Sequence, residues 1–96
     1  MKIRLFPIAQ KELHSAVEFY NVQRQGLGFE FLSEVIEAFD RIINFPSAWP
    51  PFHKNTRRCI VSRFPYGIIY FVEEDAVLIV AVSHLHREPE YWIGRI

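Results

Sequence analysis

The chain has 96 residues, half of them apolar, and its eleven basic and eleven acidic side chains leave a formal net charge of zero. That length supports one core and one domain over residues 1–96 and excludes a two-domain layout, and nine Phe, four Tyr and two Trp exclude a chain that stays disordered. Balanced charge supplies no bulk pull toward nucleic acid or acidic membrane, so any such binding needs a local patch.

"KIRLF" sets Lys2, Arg4 and Phe6 against Ile3 and Leu5, a period of two that predicts a short first strand ending at Pro7. Pro7 suits the first turn of a helix, where a missing N–H costs nothing. From Ile8 to about Arg24 the residues Leu13, Ala16, Val17 and Tyr20 share one stripe, with Glu12, Glu18, Gln23 and Arg24 elsewhere, which predicts an amphipathic helix. "RQGLG" ends it, because Gly26 and Gly28 can supply a left-handed turn.

A second helix is predicted from about Phe29 to Asn44. Its inner face is read as Leu32, Val35, Ile36, Phe39, Ile42 and Ile43, and its outer face as Glu30, Glu34, Glu37, Asp40 and Arg41. Two antiparallel helices joined by a glycine turn make a hairpin. The prolines of "FPSAWPPFHKN" rule out regular structure there, and Phe45, Trp49 and Phe52 are too costly to leave in water for the loop to be unordered.

Strand-like segments follow: "RRCIVSRF", a turn at "PYG", "IIYFVE", an acidic turn at "EDA", and "VLIVAVSHL". The last is apolar on both faces, with Leu78, Val80 and Val82 on one and Val77, Ile79 and Ala81 on the other, as expected for the centre of a sheet. The predicted fold class is α+β: an N-terminal strand, an antiparallel helical hairpin, then a three-stranded antiparallel meander forming one sheet, with a short C-terminal tail. The first strand is expected beside the last.

Cys59 is the only cysteine, which excludes an intrachain disulfide and is expected of a reducing cytosol. The start "MKIRLFPIAQKEL" lacks the pattern of a signal peptide, and "AVLIVAV" is too short to cross a bilayer as a helix. A cytoplasmic protein without membrane contact is the expectation.

Taken together, "AVEFYNVQRQGLGFEFLSEVIEAFDRI", "NFPSAWP", "RRCIVSRFPYGIIYFVEED" and "VLIVAVSHLHREPEYW" resemble the RelE/ParE superfamily, the toxin halves of bacterial type II toxin-antitoxin (plasmid stabilisation) modules, over essentially the whole chain. The ordered set is most similar to the ParE-like branch. The resemblance implies a growth inhibitor neutralised by a cognate antitoxin, with DNA gyrase as target and no cofactor. RelE-like members instead cut mRNA on the ribosome without a metal, and a relative that keeps the antitoxin groove but lacks toxicity is a third reading. An apolar groove left uncovered by an absent antitoxin also makes a homodimer an expectation.

The tail "SHLHREPEYWIGRI" decides between the first two readings. Metal-free RNA cleavage needs a base, an acid and cations for the developing phosphate charge. His84, His86, Arg87 and Tyr91 supply those types, with Arg58 and Arg63 as further phosphate clamps. Against this, His84 and His86 end an apolar strand as hydrogen-bonded structural residues commonly do, and Tyr91 and Trp92 read more simply as a lid over the sheet than as a stacking platform. A histidine pair can bind metal, but only Glu88 or Glu90 lies nearby as a third ligand, so no metal site is expected. RelE-like nucleases are rich in lysine, whereas this chain has three. Lys54, Arg57, Arg58, Arg63 and Trp92 are the expected partner-binding residues.

Overall fold

The computed structural model describes residues 1–96. Strand β1 (Lys2–Leu5) turns Ile3 and Leu5 toward the core while Lys2 and Arg4 stay in solvent. Pro7 then opens helix α1 (Pro7–Gln23), which passes through a left-handed Gly26 (φ 87°) into helix α2 (Leu27–Asn44). The two helices approach so closely that a Cβ on Gly28 would stand 2.1 Å from the Val17 carbonyl oxygen. At that crossing Asn21 Oδ1 accepts the Gly28 N–H at 2.7 Å, satisfying one of the unpaired donors of the α2 N-terminus from the neighbouring helix.

Strands β2 (Arg57–Ile60), β3 (Tyr66–Glu73) and β4 (Ala76–His84) form the antiparallel meander, and the sheet order is β1-β4-β3-β2. The first strand lies beside the last as expected, and it runs parallel to it, so the sheet is mixed. The hairpin covers one face, where Phe31, Val35, Ala38 and Ile42 of α2 meet Cys59, Ile68, Tyr70, Val77 and Ile79. Burial of a Phe or Ile side chain contributes about 1.5–3 kcal/mol each, which makes this layer the main source of stability.

Some assignments of side chains to faces change. In α2 the core takes Phe31 and Ala38, while Ile36 is 56 % exposed: the helix is rotated so that small Ala38 meets the sheet closely. In β4 the expected alternation breaks, because Ile79 pairs with Tyr70 and Ala81 with Ile69, leaving Val80 as an extra, bulged residue. Val77 and Ile79 therefore share the helix face with Val82, while Val80 and Ala81 face outward. Tyr66, read as part of a turn, is the first residue of β3, and its ring packs against Phe31 and Tyr20.

The proline-rich loop is ordered by side chains rather than by regular structure. Tyr70 donates to the Pro46 carbonyl at 2.7 Å, Arg57 donates to the Trp49 carbonyl, and Trp49 meets Tyr70 edge-on. The outer face of the sheet is closed by the tail, where Trp92, 2 % exposed, packs with Ile69, Val80 and Ala81 before a 3₁₀ turn at Ile93–Arg95.

Candidate functional site

Beyond Ile79 the β1 side of β4 has no strand partner, because the chain has turned upward into α1. Side chains take over the pairing: the Glu12 carboxylate accepts the Val82 N–H at 3.1 Å, and Arg95 donates to the Val80 carbonyl at 3.0 Å. Arg95 also binds both Glu12 oxygens at 2.8 and 2.9 Å, and the Tyr91 hydroxyl donates to Glu12 at 2.6 Å. Glu12 was placed by its spacing on the solvent side of α1, yet its side chain is only 15 % exposed and Arg95 only 14 %. One carboxylate thus joins the first helix, the last strand and the tail.

The network fixes the state of its members. Burial first, and then the hydrogen bond to Glu12, hold the Tyr91 phenol above its ordinary pKa, so it stays a protonated donor at neutral pH. The same carboxylate raises the already high pKa of Arg95. Burial likewise raises Tyr66.

Above this anchor an open groove of about 490 Å³ runs between α1 and the end of β4, with Ile8, Lys11 and Phe19 on one wall and His84, Arg87 and Tyr91 on the other. The bulge at Val80 is what brings His84 here: it shifts the phase of the strand, so His84 pairs with Tyr66 on the helix side. His86 lies past the strand end and donates its backbone N–H to His84 Nδ1 at 3.0 Å, which leaves Nε2 as the proton-bearing nitrogen of a neutral His84 ring. Arg87 stacks over Tyr91, 3.9 Å from the ring centroid.

Of the residues expected to do chemistry, His84, Arg87 and Tyr91 line this one groove, and His86 stands behind it with its ring 5.2 Å from His84. Of those expected to bind partners, Arg58 and Trp92 line a second, smaller cavity of about 70 Å³ together with Arg87, and the others lie apart from it. Arg57 is occupied by the Trp49 carbonyl, and Arg63, at φ 69°, is tied to Glu30 at 2.9 Å and Glu34 at 3.3 Å on α2. Its hydrogen bond, with help from Arg24, holds the Glu30 carboxyl below its ordinary pKa. Arg58 lies over the Phe52 ring, and Lys54 sits exposed in the turn before β2. Trp92 is buried, stacked on Phe52 and edge-on to His53.

No group of His, Cys, Asp and Glu side chains is spaced to hold a metal ion, and no helix is long and apolar enough to cross a membrane. Sequence reasoning missed Glu12, Lys11, Tyr66 and Arg95 in this region. Lys11 and Glu12 precede the apolar stripe of α1 by one position or more, and no periodic signal distinguishes them from a solvated face.

No curated protein sequence matches the chain. A solved structure described as the chromosomal ParDE TA system from P. aeruginosa superposes with a TM-score of 0.78 over 90 % of this chain and 97 % of that one, at 14 % identity, and so shares its fold. The family described as the ParE toxin of the type II toxin-antitoxin system, parDE, matches residues 3–89, which takes in both helices, all four strands but for the first residue of β1, and His84 and Arg87 of the groove; with nearly the whole chain matched, it belongs to the ParE toxin family.

Proposed function

We infer that the chain is the toxin of a type II toxin-antitoxin pair, acting in the bacterial cytoplasm as a growth inhibitor that binds DNA gyrase and is neutralised by a cognate antitoxin. Family membership over residues 3–89 carries this reading. The groove supports binding over cleavage. Tyr91, the best-placed proton donor, already donates to Glu12, and Arg87 is stacked on Tyr91 rather than aimed at an open phosphate position. Zero net charge also disfavours docking on ribosomal RNA.

A second reading, a ribosome-dependent mRNA endonuclease, draws on one observation: His84, Arg87 and Tyr91 line the same groove. Induced expression in a bacterial host, with DNA, RNA and protein synthesis followed beside a DNA-damage reporter, separates the two. Gyrase poisoning stops DNA synthesis first and switches the reporter on. Early arrest of translation with cleaved mRNA would overturn the choice. Unimpeded growth would point to a relative that keeps the fold without toxicity.

A further inference from the structure

Helix α2 carries two apolar stripes, and the fold buries only one of them. Phe31, Val35, Ala38 and Ile42 lie against the sheet. On the adjoining flank Phe29, Leu32, Ile36, Phe39 and Ile43 recur at alternating intervals of three and four residues, the spacing of a helix that packs along another helix. The rotation that brings Ala38 to the sheet turns this flank outward. Of its members only Phe39 packs against the core; Leu32 and Ile43 are half-buried, and Phe29 and Ile36 are 66 % and 56 % exposed. Exposed apolar side chains occur elsewhere, Val22 and Phe45 among them, but not in such a run: on α1 the stripe from Ile8 to Phe19 is broken by Lys11 and Ser15. The polar border of the α2 stripe holds exposed Ser33, Glu37 and Asp40, and neither acid has an ion-pair partner.

We propose that this stripe is a self-association face, on which two copies of the chain pack α2 against α2, antiparallel, about a two-fold axis near Ile36. Phe29 and Ile43 stand seven positions to either side of that residue, so an antiparallel pair sets Phe29 of each copy against Ile43 of the other. It also brings Ser33 near Asp40 across the seam, whereas a parallel pair would align Asp40 with Asp40 and Glu37 with Glu37, where like charges repel. An aromatic side chain presents about 150–250 Å², so Phe29 and Ile36 together offer roughly 200 Å² of open apolar surface. Eighteen residues make α2 about 27 Å long. With the half-buried members and the polar border, the contact reaches the lower end of specific interfaces, roughly 600 Å² per copy. An interface of that size predicts a dimer that forms in the micromolar range. The groove between α1 and the tail draws no residue from α2, so the two surfaces are distinct, and the inference does not depend on the function proposed above.

Analytical ultracentrifugation of the full chain over about 1–300 µM is the test, and it should show a reversible monomer–dimer equilibrium. Ile36→Glu brings two carboxylates together on the axis and should weaken the dimer by about a hundredfold or more. Val22→Glu, on an exposed position of α1, should leave it unchanged; circular dichroism checks that each variant is folded. Disulfide trapping reads the geometry, and because Cys59 is buried an introduced thiol reports alone. Ile36→Cys should cross-link on mild oxidation. Phe29→Cys should not, because its two copies lie about 20 Å apart in the antiparallel pair. A chain that stays monomeric throughout, a dimer indifferent to Ile36→Glu, or trapping through Phe29→Cys in place of Ile36→Cys overturns the proposal. So does a dimer that Phe19→Ser disrupts and Ile36→Glu leaves intact, which would move the contact to the groove.

Discussion

Replacing Glu12 by alanine should unfasten the tail. The wild-type carboxylate accepts from the Val82 N–H, the Tyr91 hydroxyl and both Arg95 nitrogens, at 3.1, 2.6, 2.8 and 2.9 Å. Removing one member of a fully buried ion pair costs about 3–5 kcal/mol because the other charge is left unpaired. Here Arg95 is 14 % exposed and regains some water, which lowers that figure, whereas the stranded Val82 N–H adds about 1 kcal/mol or more. The expected loss is about 3 kcal/mol, which for a domain of this size lowers Tm by roughly 12–24 °C. Urea unfolding followed by tryptophan fluorescence and far-ultraviolet circular dichroism measures it, with an unchanged slope showing that the same surface is exposed. Glu12→Gln keeps the shape but not the charge, so it should lose less. A double-mutant cycle with Arg95→Met should return a coupling above about 1 kcal/mol. If Glu12→Ala falls within about 0.5 kcal/mol of wild type, the carboxylate is solvated like any surface acid, and its role in fastening the tail is refuted.

Other expectations follow from the packing of the same core. Gly28→Ala places a methyl group 2.1 Å from the Val17 carbonyl and should prevent accumulation of folded protein, whereas Gly26→Ala meets nothing within 4 Å and should cost only about 1–2 kcal/mol of left-handed backbone strain; thermal melts distinguish the two. Trp92→Ala should cost about 3–5 kcal/mol and create binding of a hydrophobic dye on the outer face of the sheet. Burial raises all four tyrosines, and Tyr70 is pushed up to about 12. The fold favours the protonated phenol, so the contribution of Tyr70 is complete below pH 10 and is lost as pH rises toward 12. Ultraviolet titration should show phenolate appearing together with unfolding, and free ionisation near pH 10 in an intact fold would contradict the burial. Cys59 is buried and its thiol pKa is raised by desolvation, so a thiol reagent should react only after denaturant is added.

The sequence displays what is periodic. Ile3 and Leu5 at alternate positions, Leu13, Ala16, Val17 and Tyr20 at helical spacing, and the prolines of residues 46–51 predict β1, α1 and the loop close to where they lie. Contacts set by tertiary packing leave no such trace. The rotation of α2 that exchanges Ile36 for Ala38 depends on how closely a helix can approach the sheet, and hydrophobicity alone ranks those two residues the other way. Glu12 reads as a surface acid because its partners lie 70 or more residues away, at Val82, Tyr91 and Arg95. Conversely, "RRCIVSR" looks like a basic patch, but strand alternation sends Arg57 and Arg58 to opposite faces and the left-handed backbone at Arg63 turns it toward Glu30 and Glu34. Of the tail, the residue types were legible and their company was not.

The extra residue in β4 also makes strand length a variable that evolution can act on independently of composition. Deleting Val80 would remove the bulge and leave Ile79, Val82 and His84 at alternate positions on the helix side, whereas one residue added between Ile69 and Tyr70 would give Val80 a partner, restore strict alternation through β4 and turn Ser83 rather than His84 toward the helices. A single added codon in β3 would then rewrite the chemistry of one wall of the groove with no substitution in β4. Among relatives of this fold, insertions opposite the bulge are therefore expected to alter partner choice more sharply than loss of the bulged residue itself.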